Sequence, residues 1–338
     1  MSKNREQKRR LKKQKARRQK QLRSKQQPTQ HDAPRVPSAS TMWRTMHLEF
    51  SVQAQVFEQV LAMQPSLRQR DGARIRRIEE ASDLAALIEL VPIAGGLAEY
   101  PWLKRMRAFS VTTAPEIVAW VRGDWIRSHP RSAAGIQERL IAALRWTGEA
   151  GAQGLADCWD GFDDYGRGLA CVALGLLDAK PEADRLWNFF QNRLSGPKPH
   201  WVGALWGLID LGDPRAADAL LQCLMTEHDF YEREGFLSRA GDARAVRPLM
   251  SELLYGPERL RGDAMWALTG IAHRLGREAF ALALQGDEES TEELTQTIEA
   301  NVEHFLKYSQ DDVERHFETF YNSHPSLPAN LAESGRLH

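Results

Sequence analysis

From about residue 43 onward, apolar residues recur at the three- and four-residue spacing of an α-helix. Over 51–63 the stripe is Val52, Val56, Phe57, Val60 and Leu61, and Gln64-Pro65 ends it. Ser82-Asp83 opens an apolar helix through Leu90, closed before Pro92, because Asp caps a first turn and the residue before proline avoids the helical region. Ala114-Pro115 opens another, with Ile117, Val118, Trp120 and Val121 along it. Between these, ARIRRI at 73–78 is compatible with a short strand or a helix start, and Gly72 weakens the latter.

Residues 131–285 resemble themselves. GLLDAKPEA at 175–183 aligns with GLIDLGDPRA at 207–216, which has one extra residue. LGDPRAADALL at 211–221 recurs as AGDARAVRPLM at 240–250, with a weaker copy LGREAF at 275–280 and a degenerate TGEA at 147–150. The turn glycines Gly212, Gly241 and Gly276 are 29 and 35 residues apart, a repeat of about thirty, and a period in that range indicates stacked helical units. Within one unit a first helix over 200–211 ends at a glycine expected to take the left-handed conformation. Asp213 caps the next helix with Pro214 at its first position, and Ala216, Ala219, Leu220 and Leu224 line one side of it. A single hairpin of this kind cannot hide its apolar surface, so neighbours must stack.

The string ALWGLIDLGDPRAADALL at 204–221 resembles a HEAT repeat of the bacterial PBS-lyase HEAT-like type, well over about 165–254 and more weakly over 131–285. The resemblance implies an α-solenoid whose curved inner face holds proteins or nucleic acids. The expected fold is therefore all-α, an α-solenoid of HEAT-like helical hairpins with a helical N-terminal region and a disordered basic N-terminal tail. Its divisions are a tail and Pro-rich linker at 1–41, a helical region or set of degenerate repeats at 42–130, the array at 131–286, an acidic helical cap at 287–322 and a loose tail at 323–338. In the cap, Thr291-Glu-Glu-Leu294 opens a helix striped by Leu294, Ile298, Val302, Phe305 and Leu306. Ser309-Gln-Asp-Asp312 has the form of a second capping box, followed by Val313, Phe317 and Phe320.

Charge changes the picture further. The 338 residues are formally neutral, with 45 Lys+Arg and 45 Asp+Glu. That sum hides a partition, because residues 1–27 hold thirteen Lys/Arg against Glu6 alone, a charge of +12 balanced by −12 over the rest. Residues 287–318 alone carry eleven acids against Lys307 and Arg315. With only Leu11 and Leu22 as large apolar groups over 3–25, the free tail cannot offset the entropy of ordering. Its cation density without interleaved aromatics suits sequence-independent contact with phosphates, and Arg9, Arg10, Lys12, Lys13, Arg17 and Arg18 represent that contact. RNA, DNA or the ribosome would serve as its partner, or the tail would fold back on the acidic cap. The tail lacks an apolar face for stable membrane association. Arg68, Arg70, Arg74, Arg76, Arg77, Lys104, Arg105 and Arg107 would extend the basic footprint, although Glu79 and Glu80 nearby favour surface ion pairing.

Other chemistry is sparse. Cys158, Cys171 and Cys223 are odd in number, lie in apolar patterns and lack C-x-x-C spacing, so they read as core residues rather than a disulfide or zinc set. No apolar run approaches membrane-spanning length and no signal-peptide pattern opens the chain, so a cytoplasmic location is expected. Trp201, Trp206 and Trp266 read as packing residues or as rings offered for stacking. CWDGFDDY at 158–165 gathers Asp160, Asp163 and Asp164, with Asp164 the expected helix cap and metal ligation the weaker reading. Gly95-Gly96 reads as a turn. No P-loop, dinucleotide fingerprint, H-E-x-x-H or nucleophile elbow occurs. The paired His-Glu steps of iron-binding HEAT-like hydroxylases are also missing. No cofactor, metal or catalytic residue is expected. The expected function is a non-catalytic binding scaffold that holds a protein partner on its solenoid face, with the tail attaching to nucleic acid or ribosome. Through the resemblance alone, a bilin lyase or an alkyl-base DNA glycosylase is the alternative.

Overall fold

By its internal contacts the chain divides into Met1–Thr41 and Met42–His338. The structure is a computed structural model that describes residues 50–63, 65–109, 112–123, 128–129, 133–225, 232–313 and 315, all in the second unit. The fold is all-α, and no strand occurs among the described residues. The first part comprises α1 (Phe50–Met63), α2 (Pro65–Glu79), α3 (Leu84–Glu89), α4 (Glu99–Ala108) and α5 (Thr113–Val121). Then come α6 (Ala133–Arg145), α7 (Glu149–Asp157), α8 (Asp164–Leu176), α9 (Ala183–Arg193), α10 (Lys198–Asp210) and α11 (Arg215–Met225). The last are α12 (Arg233–Ala240), α13 (Val246–Tyr255), α14 (Glu258–Leu275), α15 (Arg277–Gln285) and α16 (Glu292–Lys307).

Residues 73–78, open between strand and helix on sequence grounds, lie in the interior of α2. Tertiary packing overrides the weak local preference there. Ile78 is fully buried, and Gly72 is accommodated within the helix. Asp83 caps α3 by accepting from the Ala86 amide at 2.8 Å. Thr291 caps α16 through the Leu294 amide. Ser309 and Asp312 form the reciprocal capping box: the Ser309 amide donates to Asp312 Oδ2 at 2.9 Å, and the Asp312 amide to Ser309 Oγ at 3.2 Å. One expected cap moves by a residue. Asp163, not Asp164, accepts from the Gly166 amide at 2.9 Å, because only the residue outside the helix has the extended backbone that aims its side chain at the first turn.

The turns follow the repeat. Gly148, Gly212 and Gly276 all have positive φ, at 62°, 66° and 78°. Where the copy at 175–183 lacks a glycine, Asp178 takes the left-handed conformation instead, with φ 51°. Both helix ends close alike: the Ala179 amide donates to Leu174 O and the Asp213 amide to Leu208 O, each at 3.0 Å. Gly241 departs from expectation, having φ −62° and ψ 144°. Its glycine is required for space instead, since a Cβ there would fall 2.6 Å from the Leu237 carbonyl oxygen. The left-handed region disfavours any Cβ. Gly212→Ala should therefore cost about 1 kcal/mol in urea denaturation, while Asp178→Gly should shift stability by less, in the opposite sense.

Packing runs in a regular series. The even-numbered helices touch in succession from α2 through α4, α6, α8, α10, α12 and α14 to α16, without a break at residue 130. Odd-numbered helices pack on the following even one, as α9 does on α10 and α13 on α14. Among the described helices the most extensive contact is that of α8 with α10, and residues 201–209 of α10 are all buried. Glycines permit that approach, because Gly203 lies on the Gly168 carbonyl, Gly207 on the Cys171 carbonyl and Gly175 on Gly207. Arginines then brace one unit to the next. Arg193 binds Asp164, Arg215 binds Asp184 and Arg239 binds Asp210, across separations of 29, 31 and 29 residues. Arg244 reaches Asp218 across 26, Arg185 the Ala156 carbonyl across 29 and Arg277 Glu303 across 26. The period seen in the turns recurs in these contacts.

Candidate binding surfaces

The tail cations Arg9, Arg10, Lys12, Lys13, Arg17 and Arg18 lie outside the described residues. Several of the body's basic residues are engaged internally. Arg70 and Arg74 bind Asp71, whose side chain is fully buried. Arg105 donates to the carbonyls of Ile78, Glu79 and Ala81 and so closes the end of α2. Arg107 lies 4.7 Å from the Phe50 ring centroid and 5.2 Å from that of Trp146. The acidic partner here is Asp71, and Glu79 contributes its carbonyl to Arg105. In the acidic cap, Glu299 and Glu303 are held by Arg277 and Glu288 by Arg247, so part of its charge is neutralised locally.

Trp201 is fully buried and Trp206 nearly so, which removes both as rings offered for stacking. Trp266 is half-buried. The three cysteines are free and buried, and burial pushes the Cys158 and Cys223 thiols up to about 12, keeping them protonated. Asp164 is held by Arg193, which keeps its carboxyl below the usual range. No group of three or more His, Cys, Asp or Glu side chains at metal-holding distances occurs among the described residues.

Two places combine polar side chains with access. The first is an open groove of about 600 Å³ lined by Ser238, Arg239, Gly270, His273, Arg274, Ser309 and Gln310. It lies where the C-terminal halves of α12 and α14 meet the capping box at 309–312. Gln310 Nε2 donates to Ser238 Oγ at 2.7 Å and to the Trp266 carbonyl at 3.1 Å, fastening the terminal segment across the two helices. Arg274 closes α12 by donating to the carbonyls of Ser238 and Gly241. His273 Nε2 lies 2.8 Å from the Tyr308 carbonyl. Three basic side chains thus face the groove, with Asp210 paired to Arg239 at its edge.

The second place surrounds Arg139 on α6, only 7% exposed. Its Nε donates to the Val91 carbonyl at 3.0 Å, and neither Nη atom has a hydrogen-bond partner among the described residues. Gly95 and Gly135 flank the guanidinium: a Cβ at Gly95 would fall 3.0 Å from Nη1, and one at Gly135 3.3 Å from both Nη atoms. Gly95 is thus more than the turn expected from sequence. Beside this group, Tyr165 donates its hydroxyl to Glu138 at 2.5 Å, and burial raises the Glu138 pKa. Glu99 is half-buried, and loss of water raises its carboxyl to about 7, Arg139 opposing the rise and Glu138 adding to it. Burial likewise lowers the Arg139 pKa. Sequence reasoning passed over these residues because Gln137-Glu138-Arg139 looks like ordinary solvated helix surface. The 91–98 segment covers Arg139, while α8 and the turn before it cover Gln137 and Glu138. The chain matches no protein-family model, no curated protein and no solved structure.

Proposed function

We propose that this chain is a non-catalytic binding scaffold of HEAT-like hairpins that holds a protein partner on its solenoid face, while the basic segment 1–27 attaches it to nucleic acid or ribosome. The observation that supports this reading is the ladder of arginine braces at separations of 26–31 residues, on a continuous series of stacked even-numbered helices. Nearest-neighbour units tied in this way give an extended surface that does not depend on one catalytic cleft. The basic groove at Ser238–Gln310 offers that surface a place for an acidic partner segment. For the tail, thirteen cations in 27 residues supply the counterion-release term that governs binding to polyanions.

Affinity capture with the full chain and with residues 1–27 deleted, each with and without nuclease, tests both halves. Both forms should retain a protein partner after nuclease treatment, and only the full chain should retain RNA or DNA, with retention falling steeply as salt rises. Loss of every protein partner after nuclease would overturn the scaffold. Equal nucleic-acid retention by the deleted form would overturn the role of the tail.

A further inference from the structure

We propose that Arg139 anchors a binding site for the oxyanion of a small molecule, a carboxylate or a phosphate-like group, between the 91–98 segment and the first turns of α6. The site is additional to the scaffold role and does not rest on it.

The geometry carries the argument in four steps. A guanidinium presents a planar fork that matches two oxygens of one oxyanion. Arg139 spends only Nε internally, on the Val91 carbonyl, and leaves the Nη edge without a hydrogen-bond partner among the described residues although the residue is only 7% exposed. Neither Nη atom is among the fully buried atoms that lack a partner, so the fork reaches solvent, and an oxyanion can replace water there with two charge-assisted hydrogen bonds. Second, the residues that flank the fork, Gly95 and Gly135, are those where a Cβ would crowd it. Third, the charges that act on Arg139 are the carboxylates of Glu99 and Glu138 and, more weakly, Arg74, so an added anion is favoured only where Glu99 is neutral. Fourth, the Glu99 carboxyl makes no hydrogen bond among the described residues, and in its protonated form it is a donor for the same anion.

The surrounding charges set how this responds to pH. From α2 come Asp71 and Arg74, bound to one another, and Arg70 on the same aspartate. From α6 come Arg139 itself and Glu138, the latter engaged by Tyr165 of α8. On the neighbouring elements, Glu89 of α3 accepts from Trp120 Nε1 at 3.0 Å and Glu58 of α1 is exposed, and neither acts on the Glu99 carboxyl. Ionised Glu99 repels an anion, whereas protonated Glu99 donates to it. Binding therefore takes up a proton and weakens as pH rises through about 7.

The test is isothermal titration calorimetry of the full chain at constant ionic strength, at pH 6 and pH 8, with acetate and, separately, sulfate. Neither probe titrates in this range, and sulfate stands for tetrahedral phosphate-like groups. Saturable binding of either probe is expected, about tenfold weaker at pH 8 than at pH 6. Acetate preference would assign a carboxylate and sulfate preference a phosphate-like group. Arg139→Met should abolish binding, and Arg139→Lys should weaken it by losing the fork while keeping the charge. Glu99→Gln should bind at both pH values with most of the pH dependence gone, and this variant remains decisive if Arg139→Met does not fold. The proposal fails if the folded wild type binds neither probe, if Arg139→Met binds as well as wild type, or if Glu99→Gln keeps the full pH dependence. Arg139 would then be a structural charge offset at a distance by Glu99 and Glu138.

Discussion

Gly207→Val is expected to lower stability by about 3 kcal/mol or more, the larger end of what overpacking a core does. The reason is backbone, not side chain. A Cβ at Gly207 would fall 2.3 Å from the Cys171 carbonyl oxygen and 2.7 Å from Leu186 Cδ2. Leu186 could turn away, but Cys171 O belongs to the rigid interior of α8 and has no rotamer to change. Accommodating a side chain means prising α8 from α10, the most extensive helix contact among the described residues. Valine adds two methyl groups to that demand. The internal control is Gly235→Ala, because Gly235 lies in α12 with nothing nearer a new Cβ than Trp266 at 3.9 Å. That substitution should be neutral or stabilising by up to about 1 kcal/mol through helix propensity. Urea denaturation of both variants checks the contrast, and equal losses would show that glycine in these helices matters only by its entropy.

Arg233→Met should cost about 3–5 kcal/mol, the typical loss when one member of a buried ion pair is removed. Arg233 donates to Glu234 at 2.8 Å and to Glu252 at 2.6 Å, and the exposures of the three side chains are 6%, 9% and 13%. Methionine fills most of the volume but leaves two carboxylates facing each other in a poorly hydrated site. Burial already raises the Glu234 pKa, with Arg233 pulling it back. Without that arginine the folded-state Glu234 carboxyl moves further above its unfolded value, so the folded protein binds more protons than the unfolded chain. Stability of the variant then falls as pH rises. Its deficit against wild type should be largest near pH 7 and smaller near pH 5. Adding Glu234→Gln and Glu252→Gln should recover part of the loss at pH 7, since no unpaired charge remains. A deficit independent of pH would mean that packing, not charge, is what Arg233 supplies.

Features encoded by neighbouring residues were legible in the sequence. Thr291 and Asp83 cap their helices as their positions require, and Ser309 with Asp312 closes the capping box over three residues. Gly212 and Gly276 take the left-handed conformation that ends a helix. These are hydrogen bonds or φ values set within about five residues, so the string of letters contains both partners. Asp178 shows the limit of such reading. It occupies the same conformation without being glycine, because the helix end that surrounds it dictates the backbone. Gly241 shows the converse, a glycine in a repeated Gly-Asp-Ala turn that does not go left-handed.

What the sequence determined by itself is the all-helical character, the thirty-residue repeat and the partition of charge between the first 27 residues and the rest. Each follows from local spacing or from composition. Tertiary structure alone decided that 50–121 joins the same series of packed helices, which arginine binds which aspartate, and that Gly95 and Gly135 enclose Arg139. Those outcomes depend on pairs 26 or more residues apart in most cases, and an exposed charge and a buried one are written with the same letter. The environment that raises Glu99 or leaves the Arg139 fork unfilled is made by the loop over 91–98 lying on α6. Burial is a property of the fold and not of the residue, which is why the chemistry of this cluster emerged only once the helices were in place.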